Sequence, residues 1–238
     1  MNPFIKQPDI YRPVTHNHVY KSDLKIAVQS ALAAALCLGL PAGSFFWLLI
    51  VQRWAPSAPI DVLVNFIRDN LAPPVLFEML GAFGWGVFLS KISGYRQWWW
   101  LSATTMAGVW VGDFALYHGF LEPWVQGHAP VALPLNLLFW LILSINVLCV
   151  TVSTSLLLSL ALMNWKASLM LAASTGLASV VAALVTLLIL DGLGMRVGSG
   201  HLSMPKVTAA STVVAALAGG AVLGVVFSRY VRAKSSKQ

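Results

Sequence analysis

Apolar stretches long enough to cross a bilayer recur along this chain, and they limit its fold more than any other feature. A helix rises 1.5 Å per residue, so about 20 apolar residues cross a hydrocarbon core about 30 Å thick. Six stretches meet or approach that length: 26–51, 75–92, 98–121, 133–163, 168–190 and 205–227. Composition agrees, since 58% of residues are hydrophobic and only 10% charged. Soluble domains carry about 25% charged residues, and too few are present here to cover a water-facing surface. The expected fold is an all-α integral membrane protein, a one-domain bundle of six transmembrane helices.

The segments between the spans are polar or punctuated. Residues 1–25 form a polar tail that precedes the first apolar run, so that run reads as a retained span rather than a cleavable signal. Residues 59–71 place Ile60, Leu63, Val64, Ile67 and Leu71 at helical spacing, with Asp61, Asn65, Arg68 and Asp69 largely on the other side. That stretch is too short and too charged to span, and suits an amphipathic helix lying in the interface. Residues 228–238 form a basic tail.

Net charge is +7, and the bases sit in loops and tails. With the N-terminus inside, 11 of the 15 bases are cytoplasmic, and only Arg53, Arg68, Arg196 and Lys206 lie outside. The positive-inside rule therefore favours an even number of spans with both termini cytoplasmic, in the plasma (inner) membrane. Membrane orientation accounts for the charge, so no nucleic-acid partner is expected. The triplet Trp98-Trp99-Trp100 marks a membrane interface, where indole rings prefer to sit.

Small residues recur every fourth position in the first span: Ala27, Ala31, Ala35, Gly39 and Gly43. The sixth span repeats the pattern at Thr212, Ala216, Gly220 and Gly224, and the fifth at Ser168, Ala172 and Gly176. Such stripes let backbones approach closely. Ala31, Ala35, Gly39, Ala216, Gly220 and Gly224 are the expected helix-packing residues, within the bundle or toward a second copy or partner helices. Pro41 predicts a kink in the first span. The opening of that span, LKIAVQSALAAALCLGLP followed by FFWLLIVQ, resembles the first helix of aromatic-acid exporter families. The resemblance covers less than a sixth of the chain, and no function is carried over from it.

Few residues carry chemistry. Glu78 lies about one turn into the second span, Asp113 about two turns from the outer end of the third, and His118 follows Asp113. An ionisable group in hydrocarbon costs at least about 2.5 kcal/mol, so these side chains should face protein or a watery cavity. Together with Asn146 in the fourth span they are candidates for an ion, proton or solute path. The blander alternative makes them hydrogen-bonding glue between helices. No metal is expected, because one acid and one histidine at that spacing arise often by chance and no His-Glu-x-x-His signature occurs. No phosphate loop, nucleophile elbow or cofactor motif stands in the sequence, and Cys37 and Cys149 read as small apolar helix residues. Three functions remain open: a small transporter or channel-like protein, a structural or assembly subunit of a larger membrane complex, and an intramembrane enzyme near Asp113 and His118.

Overall fold

The computed structural model describes residues 22–43, 72–123, 135–162, 165–193 and 203–235. Within them the chain is helical and no strand occurs. Among the described residues six α-helices follow one another: α1 (Asp23–Ala34), α2 (Ala72–Ser93), α3 (Trp98–Leu116), α4 (Leu135–Leu162), α5 (Trp165–Gly192) and α6 (Ser203–Ser235). Three segments, Asp23–Gly43, Lys166–Leu190 and Val207–Ala233, are long and apolar enough to cross a membrane, and α4 contains the shorter apolar segment Ser144–Leu160. The chain is a helical membrane protein. The expected interfacial helix at 59–71 and the polar segment 1–21 lie outside the described residues. α6 runs on to Ser235, which carries much of the basic tail as helix.

Each helix packs antiparallel beside the next, and α6 returns to close the set against α1, touching α2 and α4 on the way. Glycine positions fix how near the backbones come. Gly108 and Gly112 of α3 face Thr154 and Val150 of α4, and a Cβ on Gly112 would lie 2.6 Å from the Val150 Cα. Gly86 of α2 sits on Ser102 of α3, where the Thr105 hydroxyl also donates to the Ala82 carbonyl at 2.7 Å. On α6, Gly220 rests on Ala34 and Gly224 on Ser30, while Gly39 meets Val213 and Ala216 from the other side. The α6 stripe thus packs on α1 within one chain, where Ser30 and Ala34, outside the expected stripe, take Gly224 and Gly220, and Gly39 meets Ala216. Gly176 of the α5 stripe faces Leu148, Thr151 and Val152 of α4.

Small and hydroxyl-bearing residues pack the helix seams around a few large buried side chains, among them Trp85, Leu89 and Phe227, while many other large apolar residues face outward. On α1, Ala33 and Ala34 are buried while Leu32, Leu36 and Leu40 are more than half exposed. Every buried polar residue among those described is Ser or Thr. A hydroxyl can bond the carbonyl one turn back in its own helix, as Ser155, Ser211 and Thr212 do, so it enters an apolar interior without needing a partner helix. An apolar exterior over such a core is the arrangement lipid demands, because acyl chains solvate Leu and Phe as well as protein does.

The helical course of α1 departs from regular geometry at Ala35–Gly39, a π turn that ends two residues before Pro41. Proline has no N–H to give to the Cys37 carbonyl four residues back. Gly81 of α2 lies against that carbonyl, and only a residue without a side chain fits there. A second π turn, Tyr117–Leu121, extends α3.

The two ends of the bundle differ in charge. Tyr95, in the turn between α2 and α3, packs edge-on against Phe227 near the close of α6, at a ring separation of 6.1 Å. That turn, the start of α1, the start of α5 and the close of α6 therefore share one end, here the terminal end. Lys25, Lys91, Arg96, Lys166, Arg229, Arg232 and Lys234 all belong to it, and among the described bases only Lys206 lies at the far end. Trp98, Trp99 and Trp100 are exposed beside the same turn, with Trp98 edge-on to Phe83.

Candidate functional site

Toward the far end, α2 and α3 each contribute one acid. The registry set by Gly86 on Ser102 and Ala82 on Thr105 carries the first turns of α2 alongside the latter half of α3. Glu78 projects from α2 one turn before Ala82, and its longer side chain covers the remaining offset. The Glu78 and Asp113 carboxyls are close enough to act on each other electrostatically. Asp113 Oδ2 is buried, and no donor from the described protein reaches it. The fourth helix completes the surroundings. Gly112 on Val150 places Asp113 level with Cys149.

Chemically this is a demanding arrangement. A carboxylate usually settles in a protein by accepting from N–H or O–H donors, or by pairing with a base. Here one carboxyl faces another in a low-dielectric setting. If both were ionised, the repulsion would be severe. A hydrogen bond between two carboxyls exists only when one of them carries a proton.

The other candidates are placed differently. His118 Nδ1 lies 2.6 Å from Glu122 Oε2, one turn further along, and both side chains are about half exposed. The imidazole lies tilted against Phe114, with ring centroids 4.4 Å apart, and stands edge-on to Tyr117 at 4.9 Å. The π turn begins between Asp113 and His118 and alters the regular helical relation that their spacing implies. Among described residues the structure gives His118 to Glu122, and not to the carboxyl pair. Asn146 is half-buried on α4. By the registry of Gly112 on Val150 it stands about one turn further toward the far end than Asp113, level with Leu116. No group of three or more His, Cys, Asp or Glu residues placed to hold a metal occurs among the described residues.

A second charged cluster, invisible in the sequence, lies at the terminal end. Asp23 in the first turn of α1 receives the Arg229 Nε and Nη2 at 3.0 and 2.7 Å, and the Arg232 Nη2 at 2.7 Å. Its partners lie more than 200 positions away, so only the fold brings them together.

Comparison with protein-family models, curated proteins and solved structures finds no match.

Proposed function

We propose that this protein is a small multi-pass transporter or channel-like protein of the plasma membrane, and that Glu78 and Asp113 bind and release the ion it moves, a proton. All six helices span in this reading, and the basic terminal end faces the cytoplasm, as the positive-inside rule favours. The observation that carries the reading is the facing carboxyl pair with its unpartnered Asp113 oxygen. Carboxyls kept inside an apolar bundle, with no base beside them among the described residues, are expensive, and function is the usual reason they persist. Two carboxyls sharing a proton exchange it in steps that belong to the pair. The donor set also favours a proton over a metal ion, since two carboxyls supply too few ligands for a closed divalent site.

The assembly-subunit reading draws less support. A partner helix needs a flat stripe of small residues, and that of α6 is occupied by α1.

The test is proton flux into proteoliposomes that enclose a pH-sensitive dye, driven by an imposed membrane potential. Wild-type protein is expected to acidify or alkalinise the lumen above the rate of protein-free vesicles, and Glu78→Gln to bring that rate back to the protein-free level. Wild-type vesicles that match empty ones would remove proton transport from the account.

A further inference from the structure

The turn between α2 and α3 is a fixed platform that presents cations and indoles outward. Gly94 closes α2 with a left-handed backbone at φ 76°, and the Gly94 and Tyr95 N–H groups both donate to the Ser90 carbonyl. The Ser90 hydroxyl donates to the Tyr95 carbonyl, and the Ser93 hydroxyl accepts from the Tyr95 N–H at 3.3 Å. Tyr95 itself is buried against Phe227. With Tyr95 turned in, the residues around it turn out: Lys91, Arg96, Trp98, Trp99 and Trp100 are all exposed.

The two cations have no acid to neutralise them. Asp23 is the one acid at this end among the described residues, and both its oxygens are taken by Arg229 and Arg232. Neither Lys91 nor Arg96 has a side-chain partner among the described residues. The helix dipole favours a base in the last turn of α2, which accounts for Lys91. It does not account for Arg96 outside the helix, nor for three indoles beside it. Toward the middle of the bundle the same face of α2 is apolar. Leu80 and Lys91 fall on one line of the helix, flanked by exposed Phe83 and Phe88. Trp98 closes edge-on over Phe83, with ring centroids 6.3 Å apart. Along α2 this face reads apolar, aromatic and then cationic, which is the profile of a phospholipid from chain to headgroup.

We propose that this face binds an anionic phospholipid in the leaflet at the terminal end. Arg96 and Lys91 hold its phosphate, and an acyl chain lies along Leu80, Phe83 and Phe88. A guanidinium offers a phosphate two parallel N–H donors, and a lysine adds a point charge. Indole rings sit at headgroup level, so the tryptophans set the depth at which phosphate and cations meet. The turn is already fixed, so binding costs little ordering of the protein. The site is independent of the carboxyl pair.

The test is native mass spectrometry of the detergent-solubilised full chain, titrated with phosphatidylglycerol or phosphatidylcholine. Both lipids carry a phosphate, but only the first has a net charge. Each base near a headgroup contributes about a factor of five, so wild type is expected to bind phosphatidylglycerol about thirtyfold more tightly. Lys91→Gln with Arg96→Gln is expected to remove that preference, and each single change to lose about fivefold. A monodisperse gel-filtration peak shows that each variant is folded, and the single variants decide if the double one is not. Lys206→Gln removes one charge at the far end and is expected to bind like wild type. Equal affinity of wild type for the two lipids overturns the proposal, as does unchanged affinity in the folded variants. A loss in Lys206→Gln equal to that in Lys91→Gln also overturns it, since binding would then follow net charge alone. Glycerol phosphate and a polyglutamate peptide serve as competitors, and neither is expected to displace the lipid at equal concentration. Displacement by glycerol phosphate overturns the role of the apolar face. Displacement by the peptide overturns the lipid assignment in favour of an acidic protein partner.

Discussion

Asp113→Asn is expected to yield a folded, monodisperse protein that moves no protons. Asparagine has nearly the volume of aspartate, and its amide can donate to the Glu78 carboxyl where the shared proton stood. Hydrogen bonding across the α2–α3 seam is thus kept, and stability should change by no more than about 1 kcal/mol, the net worth of one such bond. What the substitution removes is the exchangeable proton. Flux should fall to that of protein-free vesicles, while the melting temperature of the detergent-solubilised protein stays within a few degrees of wild type. Helix glue predicts the opposite split, with flux retained.

Gly220→Leu should have the largest structural effect of any single change on α6. A Cβ at this position already runs into the Ala34 Cβ and lies 2.9 Å from the Ser30 carbonyl, which is backbone and cannot swing aside. Overpacking typically costs about 1–3 kcal/mol, and a branched side chain against backbone belongs at or above the top of that range. For a chain of this size each kcal/mol moves the melting temperature by roughly 2–4 °C, so a fall of about 10 °C is expected. The contact is internal to the chain, and the loss should therefore appear as lower thermal stability at unchanged oligomer size. Gly220→Ala should show a smaller fall in the same direction. A Gly220→Leu protein that melts like wild type would mean that α1 and α6 are not in the contact described.

Much of the framework was legible because periodicity along one helix is enough to read it. Apolar runs predicted membrane helices, and among the described residues three are long and apolar enough to cross. The four-residue recurrence of Ala31, Ala35 and Gly39, and of Ala216, Gly220 and Gly224, marked faces made for close approach. Pro41 predicted a kink, and the structure has a π turn on its N-terminal side. The site was only half legible. Glu78 and Asp113 stood out singly, as acids in apolar surroundings. That they face each other depends on the registry between α2 and α3, which is set by Gly86, Ala82, Ser102 and Thr105 and carries no periodic signature. His118 was linked to Asp113 by counting along a regular helix, and the π turn at Tyr117–Leu121 alters that count. The Asp23 cluster was missed because its partners are separated by most of the chain. The one available hint was an acid opening the first helix while two bases close the last.

The central claim is that Glu78 and Asp113 act as one proton-binding unit, and a double-mutant cycle tests it most directly. Proton flux and thermal stability are measured for wild type, Glu78→Gln, Asp113→Asn and the double variant. A shared proton predicts that either single change abolishes flux and that the double change removes nothing further. It also predicts that the stability effects fail to add, with a coupling of about 0.5–3 kcal/mol, as for residues in direct contact. Single variants that each keep part of the flux, with flux losses and stability changes that simply add in the double variant, would show two independent carboxyls and contradict the account.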